Sequence, residues 1–168
     1  MLSRMDAPAL SLRIASRRDL AGVDALLARS YPKLLKADYP PSVMVTAVPL
    51  LARARPALVV SGSYYVAEAP GAGIVGAGGW SFWSRQEGVA EVRHVAVDPG
   101  FTRRGIGQRL LETILAEARR AGMTRIVCLA TRTAVPFYAS MGFEAGAPVE
   151  IALAPGIGFE AVRMARGL

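Results

Sequence analysis

The chain has 168 residues, 52% apolar and 20% charged, with a net charge of +7. This composition excludes a disordered chain and supports a single domain over residues 1–168 with one sizeable core. No stretch approaches the roughly 20 apolar residues of a membrane helix, and Met1 to Leu10 carries no leader-like apolar block, so a cytoplasmic protein without a membrane partner is expected.

Leu10 to Ala15 alternates apolar and polar residues, as a half-buried strand does. Ser16 and Asp19 offer N-cap chemistry to a helix running to about Arg29, which Tyr31-Pro32 is expected to end. A second helix is predicted over Val43 to Arg53, against the presence of Pro49. Strands follow at Ser63 to Glu68, at the Gly-rich Ile74 to Trp83, and at Val89 to Val97. A basic loop from Phe101 to Gly107 leads into a helix whose Ile106, Leu110, Leu111, Ile114, Leu115 and Ala118 share one face, with Gly122 as its stop. A strand at Arg125 to Leu129 precedes a short helix from Ala134 to Met141, for which Thr133 offers a cap. Two last strands are expected near Phe143 to Leu153 and Phe159 to Arg166. The order βααβββαβαββ defines an α/β fold with a sheet of mixed direction.

The loop Thr102-Arg103-Arg104-Gly105-Ile106-Gly107-Gln108 joins a strand to a helix. Its glycines permit positive φ and close backbone approach, and the helix start presents unpaired N–H groups and a positive dipole end. With Arg103 and Arg104 this makes a phosphate-binding site. Phe101 to Arg132 holds seven Arg against two Glu, which also points to an anionic partner. The plainer account is an arginine-rich solvated surface, since the chain has 18 Arg and 2 Lys. No GxxxxGK[ST] segment is present, and the third small residue of a dinucleotide fingerprint is replaced by Leu110.

The segment VAVDPGFTRRGIGQRLL, followed after a strand by AVPFYASMGF, resembles the GNAT superfamily of acetyl-CoA-dependent N-acetyltransferases. The resemblance is strongest over Glu91 to Phe143 and implies a mostly antiparallel central sheet flanked by helices. Thr102 stands where the family usually has Gln or Arg, and Thr133 where it often has Asn. The resemblance implies acetyl-CoA as cosubstrate. Backbone groups of Val95, Ala96 and Val97 would meet the pantetheine arm, and Arg103, Arg104, Gly105, Ile106, Gly107 and Gln108 the phosphates. Thr133 and Tyr138 would lie along the same site. Tyr138 would be the general acid toward the leaving thiolate, and a backbone N–H near Val95 or Ala96 would stabilise the oxyanion. The C-terminal strands of this family often serve dimers, which makes a homodimer a candidate assembly.

The general base is open between Glu91 and His94. Strict alternation puts Glu91, Arg93, Val95 and Val97 on one face and Val92, His94, Ala96 and Asp98 on the other. The resemblance also implies that this strand often carries a bulge that splays the sheet, and unless such a bulge reverses the alternation Glu91 is the candidate catalytic base, acting through water. Trp80, Phe82 and Trp83 could wall an acceptor pocket or lie in the core, and Tyr31 and Tyr39 flank the loop that covers the acceptor site in the family. Cys128 reads as inert core. With one Cys and one His, a disulfide framework, a multi-thiolate zinc site and a catalytic pair of histidines are excluded, and no metal is expected. The expected activity is acetyl transfer to a primary amine of a small molecule, by direct attack in a ternary complex. The alternatives are a protein amine as acceptor, or a non-catalytic acyl-CoA-binding module. A nucleic-acid partner is not expected, because no recognition helix or interleaved aromatic-basic patch is present.

Overall fold

A computed structural model of the chain describes residues 10–168. The segment inspected for a leader falls largely in residues 1–9, outside the described residues. Seven strands form one sheet in the order β1-β2-β3-β4-β5-β7-β6. They are β1 (Ser11–Ile14), β2 (Tyr64–Ala69), β3 (Gly73–Phe82), β4 (Val89–Val97), β5 (Arg125–Ala130), β6 (Glu144–Ala154) and β7 (Ile157–Gly167). All neighbours are antiparallel except β4 and β5, which are parallel. This is the mixed, mostly antiparallel sheet expected.

Among the described residues six α-helices flank it: α1 (Leu20–Leu35), α2 (Pro41–Thr46), α3 (Val48–Leu51), α4 (Pro56–Val59), α5 (Ile106–Arg120) and α6 (Val135–Ser140). The apolar stripe of α5 is buried in one core cluster with Trp80, Val92, Ile126, Cys128 and Met164. A second cluster joins Val23, Leu26 and Leu27 of α1 to Val66, Ala77 and Ala96 of the sheet. Leu35, Tyr39, Val48, Phe159 and Ala161 form a third, which ties the end of α1 and α3 to β7.

Two helical expectations are corrected. α1 does not stop at Tyr31 but runs through Pro32 to Leu35. Pro32 deprives the Ala28 carbonyl of its partner, but Leu35 on the continuing turn is buried with Tyr39, Val48 and Phe159, and this packing holds the turn helical. The helix expected over Val43 to Arg53 is broken into α2 and α3, with Pro49 in the first turn of α3, and α4 follows as a further short helix.

The decisive departure from regularity lies in β4. Ala77 pairs with Ala96, and Gly79 with Arg93, so Gly78 faces two residues, His94 and Val95. This is a β-bulge, and His94 takes φ +50° within it. Strict alternation therefore fails after Arg93. Ala90 and Val92 pack toward α5, and beyond the bulge Val95 and Val97 do so as well, while Ala96 packs toward α1. Glu91 thus does not share a face with Val95 and Val97, contrary to the expectation from period two.

Candidate active site

β4 and β5 pair only through Val89–Arg125, Ala90–Ile126 and Glu91–Val127. Past Glu91 the two strands part, and the bulge turns β4 away. A cavity of about 300 Å³ opens in the gap. It is bordered by Val95, Ala96 and Val97 on one side, Cys128 and Leu129 on the other, and Tyr138 from α6. The Asp98 N–H donates to Val75 O at 2.8 Å, so alternation turns the backbone groups of Val97 and Val95 toward the open gap and that of Ala96 toward β3. Ala96 supplies wall rather than a free amide, which corrects its expected backbone role.

At one end the gap meets the glycine loop. Val97, Thr102, Gly107 and Phe137 border both the first cavity and a neighbouring one of about 290 Å³. Arg103, Gly105, Ile106 and Gln108 line this neighbour. Gly105 is the N-cap of α5 with φ +76°, and Arg103 has φ +61°. Two left-handed residues in so short a loop turn successive N–H groups inward, a concavity suited to an anion. Nothing lies within 4 Å of a Cβ placed on Gly105, so its requirement is conformational. Ile106 is buried in the core and offers only its backbone. Arg104 stacks over the Phe101 ring, 4.8 Å from its centroid, and does not border the cavity. Gln108 bonds Glu112 at 3.0 Å.

At the other end lies a cavity of about 270 Å³. Tyr31, Val92, His94, Leu129 and Thr131 border both it and the gap. Glu91, Arg93 and Arg55 line it with Leu51, Ile151, Leu153 and Phe159. Tyr31 and Arg55 come from segments far from the motifs, and the β6 and β7 residues from the C-terminal hairpin. Sequence reasoning assigned Arg55 and Arg93 no part in a site and left Phe159 and Ile151 as strand residues. Trp80, Phe82 and Trp83 border none of these three cavities. Trp80 is core, Phe82 is exposed against it, and Trp83 lies beside Arg163.

Tyr138 is buried, and its ring packs edge-on against Phe137 and Phe143, with centroids 5.2 and 5.3 Å away. Among the described residues no side-chain hydrogen bond engages its hydroxyl. Burial, reinforced by Cys128 and Tyr31, holds its pKa well above the usual value, so it carries a proton at neutral pH. Burial likewise raises Tyr31 to about 12 and Cys128 to about 12. His94 moves the other way, to about 4, through burial first and then the charges of Arg55 and Arg93.

Thr133 does not cap the short helix. Its N-cap is Ala134, and Thr131 caps the 3-10 turn at Arg132–Ala134 that precedes it, its Oγ1 accepting from the Ala134 N–H at 3.2 Å. Thr133 Oγ1 instead donates to Asp38 at 2.6 Å, though the residue still borders the gap. Tyr39 accepts from the Arg132 N–H and donates to Glu160 O, both at 2.9 Å, and so pins the end of α1 over β7.

A sheet parted beside a bulge, entered from a glycine loop at a helix start, defines an acyltransferase of the GNAT type. The family model for an acetyltransferase (GNAT) domain matches residues 61–145, and the chain belongs to this family. Solved structures agree in fold. A GCN5-related N-acetyltransferase from Rhodopseudomonas palustris is 21% identical with a TM-score of 0.75, over 98% of each chain. The PaiA N-acetyltransferase from Thermoplasma acidophilum, in complex with coenzyme A, is 16% identical with a TM-score of 0.74, over 95% of this chain and 99% of that one. An IAA acetyltransferase from Bacillus cereus is 19% identical with a TM-score of 0.62, over 95% of this chain and all of that one. Among the described residues no helix is long and apolar enough to cross a membrane.

Proposed function

We propose that the protein transfers the acetyl group of acetyl-CoA to a primary amine of a small molecule, by direct attack in a ternary complex. The observation that carries this reading is the open edge of β4 from Val92 to Val97, running between the glycine loop and Tyr138. An extended chain bearing amides can add to such an edge as a strand would. The backbone groups of Val95 and Val97 receive the pantetheine arm, and the N–H groups from Gly105 to Gln108, with Arg103, receive the phosphates. Arg104 adds longer-range positive charge from its place over Phe101.

The amine enters from the cavity lined by Glu91 and Arg93. A new C–N bond forms as the C–S bond breaks. Glu91 takes the first ammonium proton through water, Tyr138 gives its proton to the departing thiolate, and the second nitrogen proton, lost as the amide forms, returns through water to the Tyr138 phenolate. The Val95 N–H on the open edge donates to the carbonyl oxygen as charge develops there. His94 borders the same cavity, and burial followed by the charges of Arg55 and Arg93 lowers its pKa to about 4, which makes it a weaker base than a free imidazole.

A free-thiol assay with acetyl-CoA and a panel of small amines tests the reading. Amine-dependent thiol release with a matching acetylated product is expected. Tight acetyl-CoA binding without release for any amine would overturn it in favour of a binding module.

A further inference from the structure

The second cavity carries a charge pattern that acetyl transfer by itself does not require. Arg55 and Arg93 border it, and among the described residues neither forms an ion pair. Arg93 is half-buried, and its side chain donates to Ser81 Oγ at 3.1 Å, which orients the guanidinium without neutralising it. Glu91 is the one carboxylate on the lining and pairs with neither arginine. Asp24 of α1 is engaged by the Ala54 N–H at 2.8 Å. The lining therefore holds two cations against one anion. His94 beside them is held less basic by burial first, and the charges of Arg55 and Arg93 add to that effect.

The half-buried Arg93 guanidinium is costly to leave without an anion, and its planar fork matches a carboxylate in two hydrogen bonds, while Arg55 is exposed on the same lining and adds positive charge there. A plain alkylammonium entering this cavity would add to the excess positive charge. An amine that carries its own carboxylate cancels it. Leu51, Val92, Leu129, Ile151, Leu153 and Phe159 give the cavity an apolar wall, to which Tyr31 and Thr131 add hydroxyls, and its volume of about 270 Å³ suits a small molecule.

We infer that the acceptor is an amino-acid-sized primary amine bearing a carboxylate and an apolar side chain, its carboxylate held by Arg93 and Arg55. This rests on the reading of the second cavity as the acceptor site. The carboxylate is fixed away from the thioester, the side chain lies against Ile151 and Phe159, and the amine faces Glu91 and the bulge.

Leucine, leucinamide and 3-methylbutylamine share a side chain and differ in the carboxylate. With acetyl-CoA, kcat/KM for leucine is expected to exceed that of the other two by at least about tenfold. Arg93→Gln and Arg55→Gln are expected to erase most of that preference by lowering the leucine value alone. Arg93→Lys keeps the charge without the fork and is expected to retain part of it. Equal or better turnover of the two uncharged analogues, or a preference that survives both Gln variants, would overturn the inference. If none of the three is acetylated, calorimetric titration of N-acetylleucine and N-acetylleucinamide into the CoA-loaded protein decides it. Tighter binding of the carboxylate, lost in Arg93→Gln, supports the inference, and equal binding overturns it. Failure of the underlying reading looks different: no amine would release thiol, and acetyl-CoA would not raise Tm.

Discussion

Gly78 stands opposite Val95 so closely that a Cβ added to Gly78 would lie 2.8 Å from Val95 Cγ2 and 3.1 Å from Val95 Cα. The bulge that opens the sheet thus depends on a residue of the neighbouring strand having no side chain. Gly78→Ala would press on the backbone of β4, which has no ladder partner on its other side to hold it there. The variant is expected to lose about 1–3 kcal/mol of stability through overpacking. It is also expected to show a smaller rise in Tm on adding acetyl-CoA than the parent protein. A full-sized rise would mean that the gap keeps its shape without Gly78.

Tyr138→Phe removes a hydroxyl and keeps a ring that packs between Phe137 and Phe143. The raised pKa keeps the proton on the phenol until a thiolate departs. Turnover is expected to fall by roughly 10²-fold with acetyl-CoA affinity almost unchanged. Steady-state kinetics with an active acceptor checks this, and an unchanged kcat would make Tyr138 a packing residue only.

Gly105→Val meets open space but forces φ +76° on a β-branched residue. The loop is expected to relax out of its anion-binding shape while α5, held by its buried stripe, persists. Acetyl-CoA and CoA are expected to raise the Tm of the parent protein, and NADPH and ATP to do much less. In the variant the acetyl-CoA effect should vanish. Equal stabilisation of the parent by NADPH would contradict the assignment of this loop.

The loop and α5 were legible because their signals are local: two glycines, adjacent arginines and an apolar stripe of helical period within a short span. Val89–Val97 is legible as a strand, and the family resemblance implies a bulge in it, but no strong local signal places that bulge. Apolar residues continue on both sides of it, and the residue at positive φ is His94 rather than a glycine. The available clues were the shift of apolar positions from Ala90 and Val92 to Val95 and Val97, and the Gly78-Gly79 pair across the ladder. The helix through Pro32 was hidden for another reason, since burial of Leu35 against β7 is a long-range fact that local propensity does not carry. The acceptor cavity was the least legible part. Arg55, Arg93, Ile151 and Phe159 come from four separate elements and form no motif in the chain.

The choice of base can now be argued from the side of the sheet that Glu91 occupies. Because of the bulge, Glu91 and Arg93 line the amine cavity, while Val95 and Val97 face the gap. Glu91 lies about 10 Å along the strand from His94, at roughly 3.3 Å per residue, so a proton from an amine held at the bulge reaches it along a chain of waters. His94 is nearer the gap, but its folded pKa of about 4 lies below its ordinary 6.5. The sign for stability follows. The unfolded chain binds the proton first, so stability is full above pH 6.5 and is lost as pH falls toward 4. His94→Asn, which suits the positive φ, should flatten that acid slope in thermal melts. His94 is unprotonated from pH 6 upward, as a carboxylate is, so pH alone does not separate the two, and the prediction rests on Glu91 being the one carboxylate on the cavity lining. Glu91→Gln is expected to lower kcat/KM by roughly 10–10²-fold near neutrality, and more than His94→Asn does. Its deficit should shrink as pH rises, because more of the acceptor then arrives as free amine and needs no base. A pH-rate series on both variants checks this. A larger loss in His94→Asn, or a Glu91→Gln deficit constant with pH, would move the base away from Glu91.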